Sequence, residues 1–239
     1  ATPLLKFTIW LFLSIGAGTT MAITGVYLYL APTLPDAETL KDVDLQTPLR
    51  VYTADGLLIT EYGEKRRTPI TYQEIPPQFI DALLASEDDG FFEHSGIDLK
   101  GLARAVFDLV TTGRKKSGGS TITMQVAKNY YLSSEKTFTR KFTEILLALK
   151  IEKALTKEEI LELYVNKIYL GKRAYGIEAA SQVYYGKSIT ELNLAELAMI
   201  AGLPQAPSAA NPIRSPERAV SRRNYVLARM HNLGKISEA

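Results

Sequence analysis

From Phe7 to Ala31 the chain carries no charged side chain and is mostly apolar, and no other feature limits its possible architecture as strongly. As a helix rising about 1.5 Å per residue, such a run crosses a ~30 Å hydrocarbon core with some tilt. The spacing therefore predicts a transmembrane anchor over 7–31. A cleaved signal peptide is the competing reading, but the apolar run continues through Val26, Leu28 and Leu30 without a small-x-small cleavage site. Trp10, Tyr27 and Tyr29 fall near the ends, where amphipathic rings suit the membrane interface. Lys6 before the run, against Asp36 and Glu38 after it, favours an inside amino terminus and an outside main domain.

The rest of the 239 residues, in a chain that is 46% hydrophobic, can bury a sizeable core as one large domain or two small ones. A net charge of +2 offers no overall basic field, so nucleic acid is not an expected partner. Locally, Arg114-Lys115-Lys116 remains a candidate anion or membrane contact. The absence of cysteine excludes disulfides, thiolate metal sites and thiol catalysis, and with His94 and His231 as the only histidines a multi-histidine metal site is not expected.

Three prolines and mixed charge over 32–48 predict a linker with no core of its own. A β-hairpin region, 49–72, follows: Arg50 to Thr53 and Leu57 to Thr60 flank the Ala54-Asp55-Gly56 turn. From 73 to 239 the period is helical. Thr156-Lys157-Glu158-Glu159 forms a capping box, and Ser215-Pro216 places an N-cap and an N1 proline before a final helix through Met230. Leu102, Ala103, Val106, Phe107, Leu109 and Val110 form an apolar arc opposite Arg104 and Asp108. That helix would either pack on the core or, with Arg114 to Lys116 beside it, dip into an anionic bilayer surface.

Two carboxylates interrupt apolar helix faces. Glu87 continues the face of Ile80, Leu83 and Leu84, where burying a carboxylate costs several kcal/mol unless a cleft or partner receives it. The alternative is a helix that ends early, with Glu87 in a solvated turn. Glu144 lies in a helix that is apolar nearly all round, with Phe138, Phe142, Ile145 and Leu149 on one side and Leu147 and Ile151 on the other. Arg140 and Lys141 stand four and three residues before it, so either a structural ion pair or a phosphate-holding site fits. Between them, Gly118-Gly119-Ser120 precedes a helix on which Thr121, Gln125 and Lys128 share a stripe while Ile122, Val126 and Tyr130 face inward. The glycines permit close backbone approach to an anion, but the Gly-Lys-Ser/Thr ending of an ATP-binding loop is missing.

Taken together, Glu87-Asp88-x-x-Phe91-x-x-His94-x-Gly96, Gly118-x-Ser120-Thr121-Ile122-Thr123-x-Gln125, Arg140-Lys141-x-x-Glu144 and Lys157-x-x-Ile160-Leu161-Glu162-x-Tyr164-x-Asn166 resemble the ordered motifs of the peptidoglycan glycosyltransferases. Gly176 to Ala180, Tyr185-x-Lys187 and Ala201 to Ser208 extend the likeness over nearly the whole chain after the anchor. It is similar above all to class A penicillin-binding proteins of the Gram-negative 1a type. Met124, where many members have a second glutamine, and Val165, where leucine is commoner, depart mildly. Ser133-Ser134-Glu135-Lys136 matches a transpeptidase motif by letter only, since no Lys-Thr-Gly or Ser-x-Asn follows.

The resemblance implies a mainly α, lysozyme-like domain with a small membrane-facing jaw, single-pass in the cytoplasmic (inner) membrane and periplasmic. It implies polymerisation of lipid II into β-1,4 glycan, with inversion and undecaprenyl pyrophosphate as leaving group. Glu87 becomes the general base and Glu144, with Arg140 and Lys141, a donor-side group at the pyrophosphate or its metal. Asp88, Phe91, His94, Ser120, Thr121, Gln125, Lys128, Asn129, Glu162 and Asn166 become substrate contacts. A divalent cation (Mg or Mn) is expected, and the partners are lipid II, the lipid-linked glycan chain, the membrane and other cell-wall synthesis proteins. A lytic hydrolase of the same polymer and a non-catalytic glycan-binding module are the alternatives. The clustered cations Lys128, Arg140 and Lys141 favour transfer, because a hydrolase needs no phosphate cradle.

Overall fold

The computed structural model describes residues 3–43, 45–56, 58–63, 65–113, 119–132 and 137–237. Leu57, Arg114 to Lys116, Gly118 and Ser133 to Lys136 lie outside the described residues. Helix α1, Pro3–Leu30, forms over the apolar run in which the sequence predicts a helix. Its side chains stand open, with Trp10, Phe12 and Met21 at least 70% exposed. Mean hydropathy reaches 1.6 within Leu5–Thr33, so length and composition suit a membrane span.

The segment after α1 is more than a tether. It forms short 3-10 turns at Ala31–Thr33 and Ala37–Leu40, and Ala37 and Leu40 are buried in the core of the helical body. Lys150 Nζ donates to the Pro35 carbonyl at 2.9 Å and pairs with Asp36 at 3.6 Å, while the Tyr131 hydroxyl donates to the Asp36 carbonyl. Strands β1 (Leu49–Tyr52) and β2 (Leu58–Tyr62) then pair antiparallel, with Leu49 opposite Tyr62 and Val51 opposite Thr60. Gly56 supplies the positive φ of +84° at the turn. Leu49, Tyr52, Ile59 and Tyr62 remain exposed, so this hairpin stands off the core.

The hairpin ends at Tyr62, and the following residues join the helical body. Strand β3 (Arg66–Arg67) pairs in parallel with the distant β4 (Ala174–Tyr175). The remaining elements are α2 (Pro77–Glu87), α3 (Leu99–Thr112), α4 (Ile122–Tyr131), α5 (Phe138–Ala154), α6 (Lys157–Lys167), α7 (Ile177–Tyr185), α8 (Leu194–Gly202) and α9 (Pro216–Asn232). The protein is mainly helical. Helix α2 packs against α8 and α9, and α4 against α5 and α6.

Local chemistry explains several of these boundaries. The expected capping box opens α6: Thr156 Oγ1 accepts the Glu159 N–H, and Glu159 Oε2 accepts the Thr156 N–H at 2.7 Å. Thr121 caps α4, accepting the Met124 N–H. Pro216 starts α9 as expected, but the Ser215 side chain makes no cap bond. On α3, Leu102, Phe107 and Val110 are exposed, so this part of the predicted arc is not packed on the core.

Candidate active site

Glu87 is the last residue of α2, where the helix presents its unpaired carbonyl end. Its side chain is only 14% exposed, so the solvated turn that was the alternative reading is not what forms. Gln125 Nε2 donates to Glu87 Oε2 at 3.1 Å. The buried Tyr164 hydroxyl donates to Gln125 Oε1, which orients the amide so that its N–H faces the carboxylate. Burial holds Tyr164 well above its ordinary 10.0, with the Glu87 and Asp88 charges adding to the rise, so it stays a donor. The other Glu87 oxygen, Oε1, has Arg222 Nη2 at 3.9 Å, beyond hydrogen-bond reach. Burial pushes the Glu87 carboxyl above its ordinary 4.5, while the Gln125 hydrogen bond and the charges of Arg222 and Lys128 pull it back and Asp88 adds to the rise.

Next to this carboxylate the expected site residues build a clasp. Asp88 is buried; its Oδ2 accepts the Ile122 N–H at 2.9 Å, placing a negative charge at the start of α4. Its Oδ1 lies 2.9 Å from His94 Nε2. His94 Nδ1 accepts the Gly96 N–H, which leaves Nε2 as the donor to Asp88. Thr121 donates to the Gly96 carbonyl at 2.7 Å. Gly96 itself has φ of +92°, and a Cβ there would lie 2.9 Å from the Ala148 carbonyl on α5, so no other residue fits without a shift. Phe91 is wholly buried beneath Lys157, whose Nζ lies 4.3 Å from the ring and donates to the His94 carbonyl and to Glu152, each at 2.7 Å.

Glu144 is 3% exposed and saturated. Lys141 Nζ donates to its Oε1 at 2.5 Å and to Ser120 Oγ at 2.8 Å, and Arg140 Nη1 donates to its Oε2 at 3.1 Å.

A cleft of about 300 Å³ opens beside Glu87. Of the expected site residues it gathers Glu87, Asp88, Ser120, Thr121 and Gln125 along its wall. Glu144, Arg140 and Lys141 stand behind it, reaching it through Ser120. Lys128 and Asn129 lie further along α4, off the described lining. Phe91 and His94 support the loop instead of lining the cleft. Glu162 and Asn166 are turned elsewhere: Glu162 accepts the Tyr72 N–H at 2.7 Å, and Asn166 accepts from the Ile70 N–H and donates to the Ile70 carbonyl. Asn166 and Glu162 Oε2 dock 70–74 on α6, and neither residue lines the cleft.

The sequence reading missed Arg222, Tyr225 and Arg229 of α9, which also line the cleft. One signal was present: Arg222 and Arg229 share a helical stripe with the buried Val226, where a core helix would carry apolar groups. Among the described residues no three carboxylate or histidine side chains cluster to hold a metal, and both Glu144 oxygens are engaged by cations.

The sequence that builds this cleft has relatives. The chain is 59% identical over 235 residues to penicillin-binding protein 1A of Pseudomonas aeruginosa, covering 98% of this chain and 29% of that protein. It is 54% identical over 224 residues to penicillin-binding protein 1A of Escherichia coli, covering 94% and 26%. A crystal structure of penicillin-binding protein 1A from Haemophilus influenzae, 36% identical, covers 82% of this chain and 20% of its own with a TM-score of 0.46. The chain thus spans less than a third of the length of the curated relatives it matches. Residues 55–231, which contain every side chain of the cleft wall, match the family model described as Transglycosylase, and the chain belongs to that family.

Proposed function

We propose that this chain polymerises lipid II into β-1,4 glycan, with Glu87 as general base. The observation that carries the reading is the state of Glu87: it is largely buried at a cleft, raised above its ordinary value, and, among the described residues, hydrogen-bonded through one oxygen only. Such a group can accept the proton of the acceptor's 4-hydroxyl as that oxygen attacks the donor sugar carbon. The bond from that carbon to the pyrophosphate breaks on the opposite face, giving inversion, and the electron pair leaves with the pyrophosphate. Positioned proton transfer of this kind contributes typically about 10²–10⁴-fold.

The Glu144 trio supplies the second half of the reading. Lys141, bridging Glu144 and Ser120, sets a fixed cation just behind the cleft wall, with Arg140 beside it and Lys128 along α4. Cations held in place before the reaction stabilise a leaving pyrophosphate without reorganisation. The apolar α1 would anchor the domain on the periplasmic face of the cytoplasmic membrane, close to substrates that keep their lipid tails in the bilayer. Incubating the purified chain with lipid II tests the proposal. Glycan polymer without peptide crosslinks is the expected product, whereas shortening of preformed glycan with no polymer would identify a hydrolase.

A further inference from the structure

Arg222 is seated with more care than a solvated arginine requires. Its Nε donates to the Gly202 carbonyl at 3.2 Å and its Nη2 to Ser86 Oγ at 2.9 Å, and its guanidinium lies 4.5 Å from the Tyr225 ring centre. Gly202 makes room for it, since a Cβ there would lie 2.9 Å from Arg222 Cγ. The side chain is 16% exposed. A planar donor fork bound at two points cannot swing, so its charge stays where it is put.

We propose that Arg222 is a positioning residue for Glu87: it clamps the last turn of α2 and holds a fixed positive charge against the carboxylate oxygen that Gln125 leaves free. At 3.9 Å the charge acts on Oε1 without consuming its lone pairs. The oxygen therefore stays open to a proton while the ionised form is favoured. This division of labour rests on reading Glu87 as the proton acceptor. Among the described residues, other groups around Glu87 do not duplicate it. Lys128 on α4 adds a weaker influence, Asp88 opposes both cations, and Tyr164 on α6 acts through Gln125. Arg229, also on α9, is engaged by Asp89 at 2.7 Å and the Ala85 carbonyl, and α8 buries only uncharged residues from Leu197 to Gly202.

The test uses the whole chain in detergent with Arg222→Met, Arg222→Gln and Arg222→Lys. Two quantities are read: the titration of the Glu87 carboxyl by ¹³C NMR, assigned with Glu87→Gln, and the pH profile of lipid II polymerisation. Arg222→Met and Arg222→Gln are expected to move the Glu87 titration to higher pH and to carry the acid limb of the rate with it. Relative to its plateau, the rate near pH 5 should fall by about three- to tenfold, while Lys restores most of it. An unmoved Glu87 titration in a Gln variant that melts like the parent, or a loss equal at every pH, overturns the proposal. So does failure of both neutral variants to fold, which would assign Arg222 to the packing of α9 alone. Normal polymerisation by Glu87→Gln would defeat the general-base reading instead, and the titration would still report whether Arg222 acts on that carboxylate.

Discussion

Glu87 and Glu144 each take a place on a helix where an apolar side chain would fit, and each is nearly buried, yet the protein treats them in opposite ways. Around Glu144 every carboxylate oxygen is met by a cation at hydrogen-bond distance. Around Glu87 one oxygen receives a neutral amide and the other faces an arginine held just too far away to bond. Removing a partner from a saturated buried pair leaves an uncompensated charge. Leaving a buried carboxylate short of partners instead raises its proton affinity. One arrangement fixes charges in place; the other keeps a group ready to change charge.

The substitution expected to do most is Glu87→Gln. The amide keeps the shape and loses the basicity, so polymerisation should fall by about 10²-fold or more with lipid binding intact. A rate near the parent's would break the comparison at its functional end. Glu144→Gln should cost stability, about 3 kcal/mol, because Arg140 and Lys141 lose their shared counter-charge. Polymerisation should fall as well, with Lys141 no longer fixed beside Ser120. Chemical unfolding and a lipid II assay on the same preparation separate the two losses. Unchanged activity with a lowered midpoint would reduce Glu144 to a structural pair.

Gly96→Ala is expected to be milder than either in its chemistry but clear in unfolding, by roughly 1–3 kcal/mol, since it combines strained backbone with a clash against Ala148. If stability is unaffected, the clasp that connects Glu87's loop to α5 is looser than its geometry implies. A subtler difference concerns pH. The folded Glu87 carboxyl lies above its ordinary 4.5, so its contribution to stability is fully present below that value and is lost as pH rises through the folded value. Glu87→Gln should therefore be at least as stable as the parent at neutral pH, and the parent's deficit should shrink on the acid side. Activity should run the other way, rising as the carboxyl ionises. The smallest effect is expected at α3. Phe107, 67% exposed, should tolerate glutamate without unfolding, while binding of a form lacking residues 1–31 to anionic vesicles weakens. Unfolding of that variant would make α3 part of the core.

The sequence by itself determined the features whose causes lie within a few residues. The apolar helix α1 follows from an uninterrupted apolar run, the hairpin from two strand-like runs flanking Ala54-Asp55-Gly56, and the start of α6 from Thr156 and Glu159 bonding each other's backbone. The Arg140, Lys141 and Glu144 unit was legible for the same reason, being neighbours on one helix turn. Only the tertiary structure decided how the remaining polar groups are used. Asp88 caps a helix that starts at Ile122, Asn166 grips Ile70, and Ala37 of the expected linker is buried in the core. Nor could spacing along the chain bring Arg222 to Glu87. Helix periodicity tells which face a side chain shares, but the partner of that face is chosen by packing between helices far apart in sequence. A carboxylate's proton affinity depends on how much water and charge that packing leaves around it.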